Sequence, residues 1–270
     1  MPKIGETQQA GKKLTILGYG EAMSGKTSFI KGIRQVFKGP CYIFNYDMED
    51  NLLPLINDPA SRDIEYDQYD NEKGYDALVR KIVELRRACP YKVIVLENIN
   101  RLYKHTFDKV MTLANRTEEQ GSRLQEWGNT NKKVFDRIKE ILDLDGPECI
   151  YITTHQYIEK DDTTGKLVGN ILIPGRQLPE EIPPMFNLNL HFTLQQVPTK
   201  GPEYYVFTKS DGTWKGGDKT GTLDFKEPSD FVKMWQKIGP KFRLGSNPAA
   251  APAKVTPQHA ALNQEEPNVN

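Results

Sequence analysis

Gly20-Glu-Ala-Met-Ser-Gly-Lys-Thr27 sets two glycines, a lysine and a hydroxyl in G-x-x-x-x-G-K-T spacing. Each residue type has a task. Glycines let the backbone turn tightly enough for successive amide N–H groups to converge on one anion. The lysine carries a positive charge to β- and γ-phosphate oxygens, and the threonine hydroxyl is a ligand for Mg²⁺. Gly20, Glu21, Ala22, Met23, Ser24, Gly25, Lys26, Thr27 and Ser28 are therefore the candidate phosphate-binding residues. The apolar run Leu14-Thr-Ile-Leu17 ahead of the loop reads as a strand, and Ser28 to Phe37 reads as a helix. Strand, loop and helix in that order aim the positive end of the helix dipole at the same anion. The ligand this predicts is a nucleoside triphosphate, taken as ATP, with Mg²⁺.

Hydrolysis asks for more than a cradle. A carboxylate must hold the metal, another must orient the attacking water, and a polar group must sense the γ-phosphate. Glu97 ends the run Val93-Ile-Val-Leu96, where an acid facing the metal belongs, and with Thr27 it is the expected Mg²⁺ ligand. Asp47-Met-Glu49 follows an aromatic strand, and Glu49 is taken as the water-orienting acid, ahead of Glu21 and Glu72. Thr153-Thr-His-Gln156 follows another strand, so His155 and Gln156 are candidates for the γ-phosphate contact. Each group falls at a strand's C-terminal end, where open α/β sheets bind ligands.

Those groups need a scaffold, and the apolar pattern supplies one. Cys41-Tyr-Ile-Phe-Asn45, Ile64 to Tyr69, Val93 to Leu96 and Cys149 to Thr153 read as strands. Leu78, Ile82 and Leu85 fall on one face of a helix over 75–88, and Val134, Ile138, Ile141 and Leu142 on one over 130–144. Alternating strands and helices predict a mainly parallel, doubly wound sheet. Leu188 to Leu194 and Tyr204 to Thr208 predict an antiparallel edge hairpin, and Pro228 to Ile238 a terminal helix. The expected organisation is a flexible start over 1–11, one α/β domain over 12–243 and a disordered Ala/Pro/Gln/Asn-rich tail over 244–270.

Composition sets bounds. The 270 residues carry 36 Lys plus Arg against 36 Asp plus Glu, so net charge gives no sign of a nucleic-acid partner. No apolar run approaches the ~18 residues of a membrane helix, and the start lacks a signal-peptide pattern. Cys41, Cys89 and Cys149 lack metal-type spacing and read as buried, reduced thiols. The expected setting is cytoplasmic, with no membrane contact.

The motif order resembles the RecA-like P-loop ATPase core. In particular it is similar to the small phage-encoded ATP-binding proteins that include single-strand annealing proteins. The resemblance covers about residues 12 to 240. It rests on the phosphate loop, Asp47-Met-Glu49, Val93 to Leu102, Trp127, Ile152 to Gln156, Gly175 to Phe186, and Gly217-Asp-Lys-Thr-Gly221. It implies that Glu49 is the water-orienting glutamate, that Gln156 is the sensor glutamine beside His155, and that Lys219 reaches the nucleotide of a neighbouring subunit. Glu97 stands where the family has Asp, which implies slow turnover. The family's DNA-gripping loops correspond to about 103–128 and 157–174. The second holds Lys160 and Lys166 against Glu159, Asp161 and Asp162.

The function this implies is an ATPase of phage recombination or replication. It binds single-stranded DNA as a homo-oligomer with ATP-dependent switching, works alongside a single-stranded-DNA-binding or replisome protein, and sits in the host cytoplasm. The alternative is a nucleotide-gated assembly or loader protein that contacts a protein partner. A small-molecule kinase fits less well, because such enzymes carry arginine-rich lids and 157–186 holds only Arg176.

Overall fold

The apolar runs form strands whose alternate side chains enter two separate cores. The computed structural model describes residues 13–69, 74–116, 124–160, 165–198 and 200–243. The expectations for the start, the tail and Glu72 fall outside those residues. The parallel strands are β1 (Leu14–Gly20), β2 (Cys41–Asn45), β3 (Ile64–Gln68), β4 (Val93–Glu97), β5 (Cys149–Lys160) and β7 (Leu188–Val197), in spatial order β7-β1-β5-β4-β2-β3. Strands β6 (Leu167–Ile171), β8 (Gly201–Phe207), β9 (Gly217–Asp218) and β10 (Lys226–Pro228) add antiparallel edges to β5, β7, β7 and β8 respectively. The sheet is that of a P-loop nucleoside-triphosphatase core, with β5 standing between the loop strand β1 and the acid-bearing strand β4.

One face of the sheet packs on α1 (Lys26–Val36), α2 (Leu53–Ile56) and α7 (Phe231–Arg243), through Ile16, Ile43, Val95 and Tyr151 against Phe29, Ile33, Leu55 and Phe231. The other packs on α3 (Gly74–Arg87), α4 (Ile99–Leu113) and α5 (Leu124–Leu142), through Leu17, Phe44, Leu96 and Ile152 against Leu78, Leu102 and Ile138. A short α6 (Gln177–Glu181) closes this layer through Leu178. Strands covered on both faces carry continuous apolar sequence, which is why these runs were legible.

Three expectations change. The segment about 103–128 is mostly helix, since α4 continues to Leu113 and α5 begins at Leu124. Within 157–174 the described residues are mostly strand: β5 runs on for 12 residues to Lys160 and pairs antiparallel with β6. Residues 161–164 fall outside the described residues. The terminal helix is also longer than expected, running to Arg243 with Pro240 inside it.

Candidate active site at the phosphate loop

Gly25 sits at the start of α1 with φ 94°, in the left-handed region that glycine tolerates, and no side chain caps the helix. The first-turn amides of α1 are therefore free to bind an anion, and no acid occupies that turn. Gly20 is required for another reason. A Cβ there would lie 2.4 Å from the Phe192 carbonyl oxygen. Lys26 is buried at 6% exposure, and its ammonium donates to the carbonyls of Gly20 (3.0 Å) and Glu21 (2.6 Å) and to Ser24 Oγ (3.3 Å). Burial lowers its pKa, against the pull of Glu97, Asp47 and Glu21.

Glu97 ends β4 on the α1 side, and Thr27 Oγ1 donates to its Oε1 at 3.4 Å. Burial pushes its carboxyl up to about 7, with Lys26 acting in the opposite direction. Its Oε2 is buried without a hydrogen-bond partner. An unpartnered carboxylate oxygen beside a threonine hydroxyl fits Mg²⁺. No cluster of three or more His, Cys, Asp or Glu surrounds it among the described residues, as expected for an ion that shares its shell with phosphate oxygens and water. Thr27 and Glu97 are the residues that would hold it.

The acid facing these groups is Asp47, and Glu49 lies elsewhere. Asp47 is 7% exposed and borders the same cleft as Lys26, Thr27, Ser28, Glu97 and His155. Its Oδ2 accepts from Asn98 Nδ2 at 2.7 Å and lies 3.9 Å from His155 Nε2, while its Oδ1 lies 3.9 Å from Arg101 Nε. Glu49 is exposed, outside the cleft lining, and accepts from the Tyr66 hydroxyl at 2.6 Å. The physical reason is a break in period. Alternation from β2 carries Cys41, Ile43, Asn45 and Asp47 onto one face, but a 3₁₀ turn over Glu49–Leu52 ends the extended run.

His155 and Gln156 separate in the same way, because successive strand residues face opposite sides. His155 borders the cleft, and burial followed by the Lys26 charge lowers its pKa. Gln156 points to the other face. Its Nε2 donates to Glu21 Oε1 at 3.2 Å, and its Oε1 accepts from His191 Nε2 at 2.7 Å. His191 is stacked on Trp214 with centroids 4.1 Å apart and lies 5.0 Å from Tyr19. Lys219 is not at the cleft. Its ammonium donates to the Pro184 carbonyl at 2.6 Å, beside β9, which pairs with the start of β7 at Leu188.

A family model described as AAA domain matches residues 12–220. The chain belongs to the AAA domain family. No curated protein matches the chain in sequence. Among solved structures 103 chains match. One is a prototypical ATPase from the type III secretion system of pathogenic bacteria, at 11% identity and a TM-score of 0.43 over 67% of this chain and 51% of that one. The chain thus spans about half the length of that ATPase.

This AAA domain has a further wall that the sequence did not announce. Tyr204 of β8 lies over Gly25, its ring 3.1 Å from where a Cβ would be. Leu53, Pro54, Asp50 and Asn51 line the same cavity, of about 400 Å³. Met23 is 90% exposed at the lip. A cavity lined by an aromatic ring and apolar atoms together with an amide and a carboxylate suits a nucleobase beyond the phosphates. Tyr204 is distant in sequence from the loop, and only the pairing of β8 with β7 brings it there. Asn98, Arg101, His191 and Trp214 were likewise not singled out for a role. The stretch Val93 to Leu102, which contains both Asn98 and Arg101, was the only signal.

Proposed function

We propose that this AAA domain is a Mg²⁺-dependent ATPase acting in DNA recombination or replication of the phage type. In this reading it binds single-stranded DNA as a homo-oligomer in the host cytoplasm and works with a single-stranded-DNA-binding or replisome protein. The supporting observation is the convergence of Lys26, Thr27, Glu97, Asp47 and His155 on one cleft from four different elements. Among the described residues no helix is long and apolar enough to cross a membrane.

The loop amides and Lys26 bind the phosphate oxygens. Lys26 exchanges the carbonyl contacts of Gly20 and Glu21 for those oxygens. Thr27 and Glu97 would hold Mg²⁺, which would supply charge neutralisation there. Asp47 accepts a proton from the water that attacks the γ-phosphorus. As the new O–P bond forms, the bond to the β-phosphate oxygen breaks, and Lys26 with the loop amides stabilises the charge left on the diphosphate. His155, kept neutral at pH 7 by burial, lies between Asp47 and the phosphate loop and hydrogen-bonds the water or the γ-phosphate. Gln156 links the loop, through Glu21, to His191. Glu97 reaches Thr27 with one methylene more than aspartate has, and turnover is slow.

A protein partner in place of DNA is the second reading. It is favoured by Ile158 and Leu167 on the β5–β6 hairpin, at 51% and 57% exposure, because apolar side chains suit a protein interface better than a phosphate backbone. Phosphate release measured with and without single-stranded DNA, beside anisotropy of labelled DNA with ATP and Mg²⁺, separates the two. Stimulation of turnover together with nucleotide-dependent DNA affinity supports the first reading. Turnover indifferent to DNA, with no affinity at low salt, rules it out.

A further inference from the structure

Asn98 is 1% exposed, and the two ends of its amide are committed in different directions. Oδ1 accepts from the Arg101 backbone N–H at 3.1 Å and so caps α4. Nδ2 donates to Asp47 Oδ2 at 2.7 Å. Because an amide has one acceptor end and one donor end, tying the oxygen to the helix fixes the NH₂ toward the carboxylate. The other oxygen of Asp47, Oδ1, accepts from the Met48 backbone N–H at 2.9 Å. With one donor on each oxygen the plane of the carboxylate is set.

We propose that Asn98 is the positioning residue for Asp47, holding its carboxylate oriented toward the cleft through the NH₂ that the helix cap aims. This deepens the assignment of Asp47 as the proton acceptor and rests on it. Arg101 contributes less to the orientation, since its guanidinium lies 3.9 Å away and is only half-buried. A cap alone would not select asparagine here. Serine caps helices about as well, yet its hydroxyl is too short to serve the helix and reach Asp47 together.

The test uses N98S, which keeps a cap and removes the donor, and N98D, which keeps cap and shape but sets an acceptor against the carboxylate. Steady-state ATP hydrolysis and thermal melting are measured for both, for D47N and for the D47N/N98S double variant. The expected result for N98S is kcat lower by about 10- to 100-fold, KM for ATP within about twofold of wild type, and an unchanged melting temperature. N98D falls at least as far. In the D47N background, N98S causes no further loss, since the group it positions is gone. Wild-type kcat in N98S beside an impaired D47N overturns the role of Asn98 alone. A loss in N98S that multiplies with that of D47N overturns it too. Wild-type kcat in D47N overturns the Asp47 assignment itself.

Discussion

At the residue scale the cleft is a contest between burial and charge. Lys26 and Glu97 are both buried, and neither ion would be tolerated there without the other. Replacing Lys26 by alanine therefore removes both the phosphate contact and the partner of Glu97. K26A is expected to show no saturable binding of a fluorescent ATP analogue at concentrations that saturate wild type. The two acids after β2 give a sharper comparison. D47N is expected to lower kcat by roughly 10²-fold or more, the usual contribution of a positioned base, while still binding ATP. E49Q is expected to stay within about threefold of wild type in phosphate release. The opposite ranking would return the role to Glu49. Sequence pointed to Glu49 beyond β2, whereas Asp47 lines the cleft, because the choice depends on where the strand gives way to the 3₁₀ turn at Glu49. His155 and Gln156 were both legible as polar strand-end residues. Their division between two faces follows from the strand continuing past residue 153, which the polar sequence there did not disclose.

At the scale of elements, the loop, β4 and β5 could be read because their chemistry and their apolar runs are local in sequence. Tyr204 could not, since it reaches Gly25 only through β7, which pairs with β1 on one side and with β8 on the other. Stacking of a base on an aromatic ring is worth ~1–3 kcal/mol. Y204A is accordingly expected to weaken ATP binding by about tenfold or more in a fluorescence titration, with kcat at saturation little altered. Unchanged affinity would mean that the ring only packs on the loop. Glycine at position 25 answers to the same contact. An alanine there meets both the positive φ and the Tyr204 ring, so G25A is expected to lose nucleotide binding while its melting temperature drops by only a few degrees.

At the scale of the whole molecule, His191 ties one end of the sheet to the site, and its protonation bears on global stability. Burial lowers its pKa to about 4, against about 6.5 in an unfolded chain. As pH falls below 6.5 the unfolded chain takes up the proton first, so the stabilisation is present above 6.5 and is lost as pH approaches 4. Between those limits the loss is on the order of 1–3 kcal/mol. Urea midpoints are expected to show wild type more stable than H191Q at pH 7.5, with the gap narrowed or gone at pH 4.5. An equal gap at both pH values would mean that His191 does not carry this dependence. The doubly wound sheet itself was legible from apolar runs alone, whereas the β5–β6 ribbon was not, because its outer half is exposed and sets Ile158 singly among polar residues. That ribbon has a mechanical consequence. His155 and Lys160 belong to one unbroken strand, so a rod of about 17 Å, at roughly 3.3 Å per residue, joins the imidazole to the strand's exposed end. A load on that exposed end is carried along one continuous backbone to a residue that lines the cleft.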